Sequence, residues 1–334
     1  MMRIAINGYG RIGRCVLRAI GERGLENQLE IVAINDLTDL AMMAHLTRVD
    51  STHGLFQGTV ANAGSDLIVN GRAIPVTAHK NPADLPWRAL GVDLVLECAG
   101  KFKRRTELAG HLDAGAPRVL VSHPVADADR TVVYGVNHNA LTTADTIVSN
   151  ASCTTNCLAP IAKILHEAVG IVQGAMTTIH AVTNDQQLLD KAHGDLYRAR
   201  GAMQSIIPTH TGAATAVGLV LPELVGKLTG MALRVPVANV SLVDLHFTAQ
   251  RDTSADAINQ LMRAAAAGAW AGILACNELP LVSVDFNHNP ASSIFDVNHT
   301  SVSGRQVKVM SWYDNEWGFT NRMLDVALHM GSLS

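Results

Sequence analysis

The chain has few cysteines and no strong excess of either charge, and each shortage removes a class of protein. Only Cys15, Cys98, Cys153, Cys157 and Cys276 occur in 334 residues. That odd, sparse set is not the disulfide framework of a secreted module. The formal net charge is −3, whereas a nucleic-acid-binding domain is usually strongly basic. The one basic cluster, Lys101, Lys103, Arg104 and Arg105, reads as a solvated surface. Nowhere do ~18 uncharged apolar residues run together, so no membrane span is expected. The stretch MMRIAINGYG lacks the apolar core of a signal peptide, and the expected location is cytoplasmic. Without export, the N-x-S/T triplets at Asn150, Asn239 and Asn298 carry no glycosylation meaning. The 14 histidines are scattered and form no HExxH, so no metal site is expected. Internal repeats and low-complexity tracts are missing as well.

What is present is a globular composition, 48% hydrophobic and 16% charged. At about 150 residues per domain, the length predicts two domains. Across 1–150, short apolar runs alternate with helical stretches: RIAIN, CVLRAIGER, LEIVAIND, VDLVLECAG, TELAGHLDAGA, RVLVSHP and DTIVSN. This alternation predicts a doubly wound parallel α/β sheet with its crevice at the carboxyl ends of the strands. Beyond 150 the texture changes. TTNCLAPIAKILHEAVG reads as a helix that Pro160 should kink or shift. GAMTTIHAV, GMALRVPVANVSLVDLHFTAQ, LVSVDFN and VKVMSWYD read as longer, alternating strands of an antiparallel sheet. The polar stretch 184–212 is expected to be a long ordered loop with a functional reason, and TNRMLDVALHMGSL a terminal amphipathic helix.

Gly8, Gly10 and Gly13 meet the pattern G-x-G-x-x-G. Alone it is weak. Here it follows a strand and opens a helix, and Asp36 ends the second strand. That context is what a dinucleotide needs: a tight turn, a close approach to the pyrophosphate, and a helix packed against its strand. Helix-start N–H groups hold the phosphates, and Asp36 is expected to accept from the ribose hydroxyls and repel a 2′-phosphate. The expected cofactor is NAD.

In SNASCTTNCLAP, Cys153 and Cys157 have no second Cys/His pair at zinc spacing, and one helical turn apart a disulfide would constrain nothing. Packing accounts well for Cys157, which begins the apolar face continued by Leu158 and Ile161. It accounts poorly for Cys153, which falls in the first turn with Ser152 as N-cap. Free N–H groups there lower a thiol's pKa and form an oxyanion hole. His180, in TTIHAVTND, is a candidate base, but spacing alone does not pair it with Cys153. From the residues alone, a nucleophile and a packed thiol both remain open.

The stretches AINGYGRIGR, VSNASCTTNCLAP, TTIHAVTNDQ, SIIPTHTGAA, GLVLPEL, GMALRVPV and SWYDNEWGF resemble phosphorylating glyceraldehyde-3-phosphate dehydrogenases over essentially the whole chain. The resemblance implies a Rossmann domain over 1–150 and an α+β catalytic domain with a mostly antiparallel sheet over 151–315. The helix at 316–334 is expected to return to the first domain, and the assembly to be a homotetramer. It implies that Cys153 is the nucleophile and His180 its base and ion-pair partner. It assigns Gly8, Arg11, Ile12, Asp36, Ser122 and Asn315 to the cofactor, Asn315 holding the nicotinamide carboxamide. Ser152, Thr154, Thr211 and Gly212 match the site for attacking inorganic phosphate, and Thr183 and Arg234 the site for the phosphate of an aldehyde substrate. Hydroxyls, amides and an arginine fork are the groups such oxyanions want.

The related erythrose-4-phosphate dehydrogenases share this Cys/His apparatus. SHPVADADRTVVYGVNH, LPWRALGVDLVLECAG, LPLVSVDFNHNP and Phe319 lean toward them, whereas Thr183 and Gly212 lean back to the glyceraldehyde enzymes. Lys191, Ala192 and Ala99 depart from the common pattern, so the preference for NAD rests on Asp36. A further alternative is a redox- or NAD-sensing interaction protein built on a reactive Cys153.

Overall fold

A computed structural model of the protein describes residues 1–333. Those residues divide into two compact units, one of 1–132, 138–151 and 320–333, the other of 133–137 and 152–319.

The first unit is built on β1 (Met2–Asn7), α1 (Arg11–Glu22), β2 (Leu29–Asn35) and α2 (Leu40–Arg48). The small pair β3 (Val49–Asp50) and β4 (Gly54–Leu55) follows, then β5 (Val60–Ala63), β6 (Asp66–Val69) and β7 (Arg72–Thr77). β8 (Leu94–Glu97), α3 (Arg105–Asp113), β9 (Val119–Val121), β10 (Arg130–Thr131) and β11 (Ile147–Ser149) complete it. Nine strands form one sheet in the order β10-β11-β9-β8-β1-β2-β7-β6-β5. β1, β2, β7, β8, β9, β10 and β11 pair in parallel, and β8, β9 and β11 are buried at every residue. Strands covered on both faces are the expected partner of parallel pairing. Order reverses at β1, with β2 on one side and β8 on the other, which opens the crevice at their carboxyl ends. The β5–β6–β7 meander extends the sheet antiparallel, an extension the apolar runs did not announce.

The second unit starts with α4 (Cys153–Val169), β12 (Ile171–Ala181), β13 (Ile207–Thr209), α5 (Ala213–Val220), β14 (Leu228–Val235) and β15 (Ser241–Ala249). α6 (Ala255–Ala267), β16 (Leu274–Asn277), β17 (Ser293–Asp296), β18 (Ser301–Ser303) and β19 (Gln306–Tyr313) follow. Its eight-stranded sheet runs β13-β14-β12-β15-β19-β17-β16, with β18 on β19. All pairings are antiparallel except β12–β14 and β16–β17. β15 and β19 alternate buried and open residues, the pattern of a sheet covered on one face. α4 is that cover, packing on β12, β15, β17 and β19.

Three expectations change here. Pro160 lies inside an unbroken α4. Burial of Leu158, Ile161, Ile164 and Leu165 on either side of it, at about 1.5–3 kcal/mol each, exceeds the ~3 kcal/mol that an internal proline costs. LVSVDFN is no strand: residues Ser283–Phe286 form a 3₁₀ turn capped by Asp285 accepting from Val282 N, and the strands are the unforeseen β16 and β17. The long apolar stretch from Gly230 breaks at 236–240 into β14 and β15. α7 (Trp317–Ser332) belongs to the first unit from Thr320 onward, where Arg23 donates to Asp325 at 2.6 Å. Among the described residues no helix is long and apolar enough to cross a membrane.

The glycine turn is packed to contact. A Cβ on Gly13 would lie 2.3 Å from the Gly8 carbonyl oxygen. Gly13→Ala should therefore cost about 1–3 kcal/mol and lower the thermal midpoint, read by calorimetry. An unchanged midpoint would contradict this close packing.

Candidate active site

In the first unit a cavity of about 500 Å³ opens at the strand ends, lined among others by Gly8, Gly10, Asp36, Leu37, Cys98 and Lys101. Gly8 has φ +90° and a Cβ there would fall 2.3 Å from the Ala99 nitrogen, so two strand ends meet closely at this point. Gly10 is the reverse case, with nothing within 4 Å of its missing Cβ. It is also the N-cap of α1 and no side chain caps the helix, leaving first-turn N–H groups for an anion. Asp36 accepts from Tyr9 N at 2.6 Å and Thr38 N at 2.9 Å. Burial works against its charge, but hydrogen bonds from Thr38 and Tyr9 and the Arg14 guanidinium outweigh it and hold the carboxyl below its usual range. An open glycine, an uncapped helix start and an ionised acid fit a dinucleotide.

The other cofactor candidates divide. Ile12 sits in the first turn of α1, and Gly13 packs behind the loop against Gly8. The Arg11 side chain is committed to Asp50, with bonds of 2.5 and 3.0 Å, so what it offers at the helix start is its backbone N–H. Ser122 follows β9 and hydrogen-bonds Cys98, which lines the cavity. Asn315 lies in the second unit, where its Oδ1 accepts from Ser241 Oγ at 2.9 Å. Lys101 lines the cavity together with Lys80, and Arg105, from the same basic cluster, pairs with Asp129.

The second unit brings the two candidate reactive groups together. Ser152 caps α4 by accepting from Thr155 N at 3.1 Å, which places Cys153 first in the helix. His180 stands at the end of β12, buried, and its Nε2 is 3.4 Å from Cys153 Sγ. Its Nδ1 lies 2.7 Å from the Ala181 carbonyl oxygen, and the tautomer protonated there turns the Nε2 lone pair to the sulfur. Arg234 NH1 donates to the same carbonyl at 2.9 Å and lies 2.6 Å from Nδ1.

The helix start does not by itself ionise the thiol, contrary to expectation. Burial pushes Cys153 above an ordinary thiol, although Arg234, the Thr154 hydroxyl and the Thr154 and Cys153 N–H groups oppose it. Burial likewise brings His180 down to about 3, with the Arg234 charge as second cause. Each charge alone is expensive here, but a proton passed from Sγ to Nε2 leaves the net charge unchanged. Activation of the sulfur therefore falls to the imidazole. Cys157 is the control: fully buried beside Ser293 and Ser311, it is pushed up to about 12 and faces no base.

The second unit also holds groups suited to oxyanions. Gly212 begins α5 without a side-chain cap, and Thr211 Oγ1 accepts from Ala213 N at 3.2 Å. Thr183 is held to Gln186 Oε1, and Thr154 Oγ1 shares a bond of 2.9 Å with the Tyr313 hydroxyl. Arg234 pairs with His180 across β12–β14, yet its Nε is buried without a hydrogen-bond partner and no carboxylate among the described residues forms an ion pair with it. A guanidinium left like this is a place for an anion. Tyr313 was not foreseen: its hydroxyl bridges Thr154 and Thr178, and its ring edge meets His180 at 5.9 Å between centroids. Nor were Asn7 and Asn35, although each is the polar residue ending an apolar strand beside the cavity.

Comparison with known proteins fits both halves. Residues 2–105 match the family model described as the NAD binding domain of glyceraldehyde 3-phosphate dehydrogenase, and residues 152–315 match the model of its C-terminal domain. A glyceraldehyde-3-phosphate dehydrogenase from Pseudomonas aeruginosa is 62% identical over 331 residues, 99% of this chain and 98% of the relative. The chain belongs to the glyceraldehyde-3-phosphate dehydrogenase family. Other relatives of that name come from Cupriavidus necator (the plasmid form, 58% identical over 98% of both chains) and Geobacillus stearothermophilus (51% over 99% of this chain and 98% of the relative). As a glyceraldehyde-3-phosphate dehydrogenase family member the chain is an NAD-dependent oxidoreductase acting on aldehydes, with an NAD-binding Rossmann unit followed by a mostly antiparallel one.

If the imidazole takes the thiol's proton, removing it forces that proton into water. His180→Asn should raise the pH midpoint of Cys153 alkylation by iodoacetamide by about a unit or more, while Cys157 stays unlabelled in both proteins. A midpoint unmoved by the substitution would contradict the pairing.

Proposed function

We propose that the protein catalyses the NAD-dependent, phosphorylating oxidation of glyceraldehyde 3-phosphate to 1,3-bisphosphoglycerate through a thioacyl intermediate on Cys153. The observation that carries this reading is the part-buried Cys153–His180 pair, 3.4 Å apart, beside an arginine whose buried Nε has no hydrogen-bond partner. Relatives named for that activity support the choice of substrate. His180 Nε2 accepts the thiol proton as Sγ attacks the aldehyde carbon, giving a hemithioacetal. The developing oxyanion meets the N–H groups at the start of α4. NAD, when bound through Gly8, Gly10, Gly13, Ile12, the Arg11 N–H, Asp36, Ser122 and Asn315, supplies the hydride acceptor. His180 hands the thiol proton to the oxyanion, completing the hemithioacetal, and takes it back as hydride leaves the carbon and the thioester forms. Inorganic phosphate, held by Ser152, Thr154, Thr211 and Gly212, attacks that thioester and releases the thiolate. Covalent capture keeps the energy of oxidation in an acyl–sulfur bond instead of losing it to water.

Arg234 and Thr183 hold the phosphate of the aldehyde in this scheme. Assembly as a homotetramer belongs to the same reading. Leu188, Leu189 and Leu196 expose 76%, 74% and 85% of their surface along the 184–212 segment, and a second copy would cover them. The segment is internally braced for that role by Arg198–Asp185 and Arg200–Asp190 ion pairs. A cytoplasmic location completes the proposal.

Arg234→Leu should raise the KM for glyceraldehyde 3-phosphate by about 100-fold or more, as expected for loss of a charge-assisted contact. It should change turnover of unphosphorylated glyceraldehyde far less. The parent enzyme should prefer glyceraldehyde 3-phosphate to erythrose 4-phosphate in kcat/KM and require inorganic phosphate. Faster, phosphate-independent oxidation of the four-carbon sugar would place the chain with the erythrose enzymes toward which Phe319 leans.

A further inference from the structure

We propose that Glu97 is a positioning residue for the dinucleotide: a single buried carboxylate that fixes the direction of the amides forming the floor of the NAD cavity. The inference rests on the assignment of that cavity to NAD. Glu97 and His111 are both fully buried, and His111 Nε2 lies 3.0 Å from Glu97 Oε2. The far side of the ring settles the direction of that bond. Trp87 Nε1, which can only donate, reaches His111 Nδ1 at 2.9 Å. Nδ1 is therefore an acceptor, the ring proton sits on Nε2, and His111 is a neutral donor to the carboxylate. Glu97 also accepts from Asn7 Nδ2 on Oε2 at 2.5 Å and from Ala99 N on Oε1 at 2.7 Å.

A carboxylate accepting three bonds dictates what lies beyond it. Asn7 must turn its NH₂ inward to Glu97, so its Oδ1 faces out and accepts from Asn35 Nδ2 at 2.7 Å. Asn35 must then present its own Oδ1 to Thr77 Oγ1 and His79 N, both at 2.9 Å. The polarity runs across the carboxyl ends of β8, β1, β2 and β7, four neighbours in the sheet. Asn7, Asn35, His79 and Ala99 all line the cavity. Ala99 is also the residue against which the Gly8 turn packs. An apolar core would close this space at least as well as a buried charge does. What the charge adds is direction: it decides which cavity-floor groups donate and which accept.

Glu97→Gln keeps the shape and replaces an acceptor by a donor, so one of the three inward N–H groups meets another N–H and the amide chain loses its fixed sense. NAD titrated directly into this variant, without aldehyde or phosphate, should bind about tenfold or more weakly. In turnover, the loss should fall on KM for NAD more than on kcat. An affinity within about twofold of the parent, with only a lowered melting temperature, would reduce Glu97 to a structural role and overturn the proposal. Should the variant not fold, the parent still decides the matter. ¹⁵N spectra of its His111, assigned against His111→Gln, should show the proton on Nε2 alone, and a proton on Nδ1 overturns the directional chain. Because the titration contains no aldehyde, an error in the substrate leaves it untouched, whereas a parent that binds no NAD would refute the functional reading itself.

Discussion

A part-buried thiol 3.4 Å from a buried imidazole is the constraint on which the second unit depends. Burial raises the cost of charging either one, so neither is reactive by its own pKa. Exchange of a proton between them leaves the net charge unchanged and sets the two ions side by side, and that requires a fixed distance and a fixed tautomer. The N-cap at Ser152 fixes the sulfur, the Ala181 carbonyl fixes the ring, and the Thr154–Tyr313–Thr178 hydroxyls lock α4 to the sheet beneath it. The fully buried apolar side of α4, unbroken at Pro160, is what makes that placement rigid.

The first unit answers a different demand with different means. A dinucleotide offers phosphates and hydroxyls, so the strand ends present N–H groups and one acid in place of a reactive side chain. Gly10 is open where Gly8 and Gly13 are crowded, and that contrast separates the face that meets a ligand from the contacts that shape the turn. Arg11 shows the same economy of roles. Its side chain braces Asp50 while its backbone stays at the helix start.

Much of this was legible in the residues. Apolar runs ending in Gly, Pro or Asn marked the parallel strands, and G-x-G-x-x-G with Asp36 marked the turn at their ends. The thiol's place at a helix start was readable from Ser152 and the run after Cys157. Its pairing with His180 was not, because contact between residues 27 apart is set by how α4 lies on β12 and not by spacing. Local patterns also misled where tertiary packing decides. LVSVDFN alternates like a strand but turns back on the Asp285 cap. The pKa of Cys153 went the other way from expectation, since a helix start is visible in sequence and the depth of burial is not. Glu97, His111 and Trp87 carry no motif at all and meet only through the fold.

The most direct test of the central claim is mass spectrometry of the enzyme quenched within milliseconds of mixing with glyceraldehyde 3-phosphate and NAD, inorganic phosphate being withheld. The account predicts a 3-phosphoglyceroyl thioester on the Cys153 peptide, formed in step with one NADH per subunit. NADH released while the Cys153 peptide stays unmodified, or an adduct on another side chain, would contradict it.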